Sequence, residues 1–222
     1  MGSMFISNKD ETVRLFKNPV LEYFSHIHPA TPLVVFLPSV AVTLYGSILG
    51  GSWMESVGLW SSVGVFVLGV LAWTFVEYAI HRWAFHLEPT SNLGKRVHFL
   101  VHGIHHDYPR DSTRLVMPLL VSVPLAFAFY ALFAASFAPF NNALFGGFIF
   151  GYVAYDSIHY ATHHFPMTSR VGRFLKEYHM KHHYVDEHTA FGVSTPLWDF
   201  VFRTVPAWAR KRSSTNSSAP TS

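Results

Sequence analysis

Between Leu115 and Tyr155 the chain carries no Asp, Glu, Lys, Arg or His. A membrane helix needs about 20 mostly apolar residues, and this stretch is twice too long for one. Pro139, Asn141 and Asn142 interrupt it with turn-forming chemistry, so it divides into two predicted spans, about 115–137 and 143–163. Two earlier runs, about 33–49 and 57–76, have the same character. The expected fold is an all-α integral membrane protein with four transmembrane helices in two hairpins. Composition agrees, because only 13% of the 222 residues are charged, where a soluble domain carries about 25%.

The 16 Lys and Arg residues set the orientation. They precede the first span, lie between the second and third, or follow the fourth. The two opposite turns contain none, and Glu55 is their only charge. The positive-inside rule therefore places both termini and residues 81–114 on the cytoplasmic side. The expected organisation is an N-terminal cytosolic segment (1–30), a membrane domain (31–205) and a disordered polar tail (206–222). The N-terminus has no cleavable leader pattern. The basic residues flank apolar runs and form no dense stripe, which argues against a nucleic-acid partner.

Thirteen of the 15 histidines fall in two windows, each following an apolar hairpin. His102, His105 and His106 stand at i, i+3 and i+4, which on a helix places them on one face. His179, His182 and His183 repeat the pattern, and His159 and His163 are at i and i+4. His81 and His86, at i and i+5, align less well; they belong to a helix end that bends, or they serve different metals. Imidazole suits iron, zinc and copper, and the absence of cysteine excludes thiolate ligands and iron–sulfur clusters. Ten histidines in four groups match two six-coordinate ions with positions left open for oxygen. His98, one turn before His102, is an eleventh ligand or a supporting group. His26, His28, His164 and His188 fit surface or capping roles.

Acidic residues within apolar spans are costly unless paired. Glu77, one turn before His81, and Asp156, one turn before His159, are therefore expected to orient ligand imidazoles. Tyr152 and Tyr155 are candidates for the same role or for interfacial anchors. A metal transporter would place its ligands near the bilayer midplane on broken helices; here they cluster beyond the span ends on one side.

The residues that carry a family resemblance include Glu77-Tyr78-Ala79-Ile80-His81-Arg82-Trp83-Ala84-Phe85-His86, His102-Gly103-Ile104-His105-His106 and Arg114-Leu115-Val116. Further matches are Gly151-Tyr152-Val153-Ala154-Tyr155-Asp156, His159-Tyr160-Ala161-Thr162-His163-His164, His179-Met180-Lys181-His182-His183 and Leu197-Trp198-Asp199-Phe200-Val201-Phe202. The pattern resembles the membrane fatty acid hydroxylase superfamily, and within it the fatty acid 2-hydroxylases. The resemblance implies a cytosolic helical cap over the four spans, with His81, His86, His102, His105, His106, His159, His163, His179, His182 and His183 holding two iron ions. It implies O2-dependent hydroxylation at C2 of a long acyl chain carried as ceramide, coenzyme A ester or free acid. Sterol, carotenoid and desaturase activities are the alternatives within the superfamily. Many relatives carry a fused cytochrome b5 domain; its absence here implies a separate cytochrome b5 and its reductase as electron donors. Zinc can replace iron in purified protein. The expected location is the endoplasmic reticulum in a eukaryote or the inner membrane in a bacterium. Met117-Pro118-Leu119 stands where relatives often show two prolines, at the expected acyl entrance.

Overall fold

The computed structural model describes residues 5–52 and 54–209. These residues form nine α-helices and no β-sheet. Helix α1 (Pro19–Phe24) starts at an Asn18 cap with Pro19 in the first turn, both favourable there. Helices α2 (Thr31–Leu49) and α3 (Leu59–Ala79) form the first hairpin, and α6 (Leu119–Ser136) and α7 (Asn141–His164) the second. Between the hairpins lie α4 (Asn92–His98) and α5 (Ile104–Asp107); α8 (Arg170–Tyr184) and α9 (Leu197–Phe202) follow. The cap comprises α4, α5, α8, α9 and their loops.

Three helical stretches are long and apolar enough to cross a membrane: Thr31–Leu49, Leu59–Phe85 and Leu119–Ser136. The fourth expected span coincides with α7, which has the length but not the apolarity. It carries Asn141, Asn142, Asp156 and three histidines. The reason is position. Most of α7 is buried against α2, α3 and α6, so its side chains need not be compatible with lipid. The three outer helices present Val34, Val42, Val67, Leu68, Leu120 and Phe127 outward instead.

Close helix packing in membranes relies on small residues, and α7 uses glycines. A Cβ on Gly147 would stand 1.9 Å from the Phe66 carbonyl oxygen. One on Gly69 would stand 2.2 Å from the Leu144 carbonyl, and one on Gly151 2.6 Å from the Trp73 side chain. The backbones of α3 and α7 therefore touch. Trp73 fills the space below, with its ring against Phe148, Tyr152 and Tyr155. This contact holds the C-terminal ends of α3 and α7, where the histidines begin, in fixed register.

Two π-helical segments extend the helices of the first histidine window, Ile80–Phe85 after α3 and Phe99–Gly103 after α4. In the first, the His86 amide donates to the His81 carbonyl at 3.2 Å, an i+5 bond. His98 faces the Phe85 carbonyl at 2.5 Å and ties the two segments together.

Residues 5–27 lie along the cap. The Ser7 amide donates to Asp107, the Ser112 amide to Asp10, and Ile27 to the Thr113 carbonyl. Arg114, from the Arg114-Leu115-Val116 segment, is the anchor. Its guanidinium donates to Thr12, to the Val13 carbonyl at 2.6 Å and to Glu22 at 2.7 Å. At the other end Trp208 packs on Tyr178 and Ala209 is buried. Residues 210–222 of the expected tail lie outside the described residues.

Gly147→Ala should lower the melting temperature in detergent sharply. The new methyl meets backbone, placing it at or beyond the upper end of the roughly 1–3 kcal/mol typical of overpacking. Gly64→Ala, on the exposed side of α3 with no neighbour within 4 Å, should be neutral or slightly stabilising. Equal melting of the two variants would contradict the close α3–α7 crossing.

Candidate metal centre

The ten histidines gather into two groups of five. One contains His81, His86, His102, His106 and His182; the other contains His105, His159, His163, His179 and His183. Within each group the candidate ligand nitrogens all lie within 4.8 Å of one another. The groups abut, with the His106 and His183 rings stacked at 4.3 Å.

Helical geometry explains the division. Each HxxHH segment does present one face, but adjacent residues on a helix differ by about 100°. The neighbouring histidines therefore aim at different centres. His102 and His106 (i, i+4) belong to the first group while His105 turns to the second. In α8 the roles invert: His179 and His183 (i, i+4) belong to the second group and His182 to the first. Each window thus lends one histidine to the other's group. His81 and His86 share one group because the π-helical segment brings i and i+5 onto one side. The bend expected from their spacing is this segment, and they do not serve different centres.

His159 and His163 come from the last turns of α7. The Nε2 atoms of His159 and His105 stand 3.0 Å apart, those of His163 and His179 2.9 Å, and those of His102 and His106 3.0 Å. An ion with metal–nitrogen bonds of about 2.1 Å keeps its nitrogens within roughly 4 Å of each other, so both groups have the dimensions of a coordination shell. The Nε2 atoms of His81, His86 and His182 are buried with no hydrogen-bond partner. Burial, with the neighbouring imidazoles adding to it, holds His102, His105, His179 and His183 well below the ordinary imidazole pKa. It pushes His182 down to about 4, against the opposing Thr189 carbonyl. Neutral imidazoles with buried, unpartnered lone pairs are what a soft-to-borderline cation binds. The donor set therefore fits two metal ions.

The remaining candidates have distinct surroundings. Tyr155 stacks on the His159 ring, 5.6 Å between centroids. Tyr152 packs against Phe36 and Trp73, inside the bundle rather than at an interface. Asp156 is buried, with one oxygen lacking a hydrogen-bond partner, and the His159 Nδ1 likewise has none. Glu77 reaches no imidazole; its carboxylate accepts the amides of Val193 and Ser194 at 2.7 and 2.8 Å. His164 stacks on Tyr160, His26 joins Arg114 and Glu22, and His28 accepts from the Ala30 amide, all away from the two groups.

Several contributors carry no individual signal in the sequence. The Phe191 and Thr189 carbonyls face the Nδ1 atoms of His81 and His182 at 2.5 and 2.8 Å. Glu187 stands 3.9 Å from His106 Nδ1. Asp199 is buried in the Leu197–Phe202 segment, where its chemistry is not evident from spacing.

Comparison with known proteins agrees with this geometry. Residues 66–204 match the family model described as fatty acid hydroxylase. A dihydroceramide fatty acyl 2-hydroxylase of Arabidopsis thaliana is 37% identical over 198 residues, covering 88% of this chain and 81% of that protein. The fatty acid 2-hydroxylase of Mus musculus is 35% identical over 87% of this chain and 56% of its own length. A ceramide very long chain fatty acid hydroxylase of Saccharomyces cerevisiae is 44% identical over 144 residues, covering 63% of this chain and 37% of that protein. Among solved structures, full-length Scs7p, of which only the hydroxylase domain is visible, superposes with a TM-score of 0.78 at 35% identity, covering 94% of this chain and 74% of that one. By the family match and by this relatedness, the chain belongs to the fatty acid hydroxylase family.

Proposed function

We propose that this protein hydroxylates C2 of long acyl chains in membrane lipids, using two irons held by the ten histidines. The observation that carries the proposal is the pair of buried five-imidazole groups, set against a membrane domain whose relatives are named 2-hydroxylases. Their names point to ceramide-type and free fatty acyl carriers, and a dihydroceramide or ceramide is the carrier proposed here.

When bound, the two irons would activate O2, which with two donated electrons and two protons would convert a C2–H bond to C2–OH and release water. The protein supplies position. Ten neutral nitrogens hold the ions, and the cap closes over them, excluding water. An apolar cleft between α3, α6 and α7 is lined by Trp73, Ile80, Met117, Phe129, Phe148 and Tyr152. Ile80 directly precedes His81, and Tyr152 lies two turns below His159. An acyl tail in this cleft sets C2, next to the polar head, at the metal end. Tyr155 fixes the His159 ring by stacking, and Asp156 provides a hydrogen-bonding group below it. A separate cytochrome b5 and its reductase deliver electrons.

In the bilayer, α7 serves as a fourth span shielded by the other three, with both termini and the cap on the cytoplasmic side. That side faces the cytosol from the endoplasmic reticulum of a eukaryote, or from the inner membrane of a bacterium. A glycosylation acceptor inserted beside Glu55 should be modified in a eukaryotic host, while the native Asn216-Ser217-Ser218 stays unmodified. Modification at Asn216 would reverse the topology.

Purified protein should contain two ions per chain, iron or zinc according to supply. His105→Ala and His182→Ala, in different groups, should each lower metal content and abolish turnover, whereas His26→Ala leaves metal content unchanged. Full metal content in both ligand variants would remove the site.

With cytochrome b5, its reductase and 18O2, the acyl product should carry one labelled oxygen at C2. Label at a mid-chain carbon, a new double bond, or a modified sterol would refute the position of attack.

A further inference from the structure

Two buried carboxylates from different helices grip a single loop, and that loop touches only one of the two histidine groups. The loop is residues 189–195. Asp199, on α9, accepts the Phe191 amide at 3.0 Å on Oδ1 and the Gly192 amide at 2.8 Å on Oδ2. Oδ1 also accepts the Thr204 hydroxyl at 2.7 Å. Glu77, on α3, accepts the next two amides, Val193 and Ser194, both on Oε1, and its Oε2 accepts the Ser194 hydroxyl. Four successive amides are thus fixed by two side chains. The turn is tight: Ala190 has φ 61°, and a Cβ on Gly192 would stand 2.1 Å from the Thr195 carbonyl. The outer side is docked on α3 through Trp198, whose indole donates to Thr74, and through Phe202 stacked on Tyr78.

The inner side presents the Thr189 and Phe191 carbonyls to the Nδ1 atoms of His182 and His81. A carbonyl only accepts, so each Nδ1 carries the proton and each Nε2 keeps its lone pair for an ion. The second group has no matching tether. The Nδ1 atoms of His159, His179 and His183 are buried without a hydrogen-bond partner.

We propose that Asp199 and Glu77 are positioning residues for the first histidine group alone, acting through the carbonyls of this loop to set the tautomer and aim of His81 and His182. This rests on the metal-binding role proposed above. It gives Glu77 a mechanical role in place of direct contact with an imidazole, and it gives Asp199 a role.

The bonding pattern separates the two acids. At position 77 both amides use one oxygen, and the third partner is a hydroxyl that can donate or accept. A glutamine keeps all three bonds, its carbonyl taking the amides and its NH2 donating to Ser194. At position 199 each oxygen receives an amide. An asparagine must turn its NH2 toward an N–H, losing at least one bond and leaving a buried donor unpaired. Removing charge while keeping shape is therefore harmless at 77 and damaging at 199. If Glu77 served by its charge, Glu77→Gln would be damaging as well.

The test uses the full chain purified in detergent, with iron and zinc measured per chain before and after mild chelation, alongside thermal melting. Wild type and Glu77→Gln should hold two ions with the same chelator resistance. Glu77→Ala and Asp199→Asn should keep about one, the ion of the second group. Asp199→Asn retaining both ions as firmly as wild type would overturn the proposal. So would Glu77→Gln falling to the level of Glu77→Ala, or either damaging variant losing both ions together while still folded. Should Asp199→Asn not fold, the Glu77 pair decides: retention in Gln with loss of one ion in Ala supports the clamp, and any other pattern rejects it. A wild-type protein with no bound metal would instead reject the metal-binding role itself.

Discussion

Ten imidazoles gathered at one end of the bundle, nine of them buried and with the Nε2 atoms of His81, His86 and His182 unmatched by any protein donor, are the feature on which everything else depends. A buried polar atom without a partner costs about 1–3 kcal/mol. Unpaired nitrogens in this number would destabilise a small membrane domain unless a cation binds them. Metal ions bound there, as proposed, would act as structural members as well as reagents. Because each histidine window lends one member to the other group, an ion bound in either group would cross-link the two halves of the chain.

That arrangement makes strict demands on the helices beneath it. His81 rises from the end of α3 and His159 from the end of α7, so the two helices must keep one relative height. The glycine contacts at Gly69, Gly147 and Gly151 provide this by letting backbone touch backbone. The π-helical segments then correct the phase, bringing His86 beside His81 and linking through His98 to the next segment. Arg114 draws residues 5–27 across the cap from outside, and the loop held by Glu77 and Asp199 closes the side nearest the first group. The protein is an apolar bundle that positions a polar, dry chamber at one of its ends.

Much of this was legible in the residues. Apolar length and the Pro139–Asn142 interruption locate the hairpins to within a few positions, since burial in lipid constrains every exposed side chain of an outer helix. The HxxHH spacing picks out the histidines that the fold gathers because helical periodicity is local. What escaped is non-local. The partition of His105 and His182 depends on which helix faces which. The π-helical segments depend on packing that no spacing rule encodes, and α7 reads as a poorer span because its neighbours shield it. Glu77 looks like a partner for His81 one turn away, yet its partners are Val193 and Ser194, brought to it by the fold of α9. Asp199 sits inside a motif segment that marks family membership without announcing its own bonds.

The most direct measurement is an experimental structure of the metal-loaded protein with anomalous scattering recorded at the iron and zinc edges. The account predicts two separate peaks, one ringed by His81, His86, His102, His106 and His182 and the other by His105, His159, His163, His179 and His183. A single peak, or a peak coordinated by His102, His105 and His106 together as one triad, would contradict it.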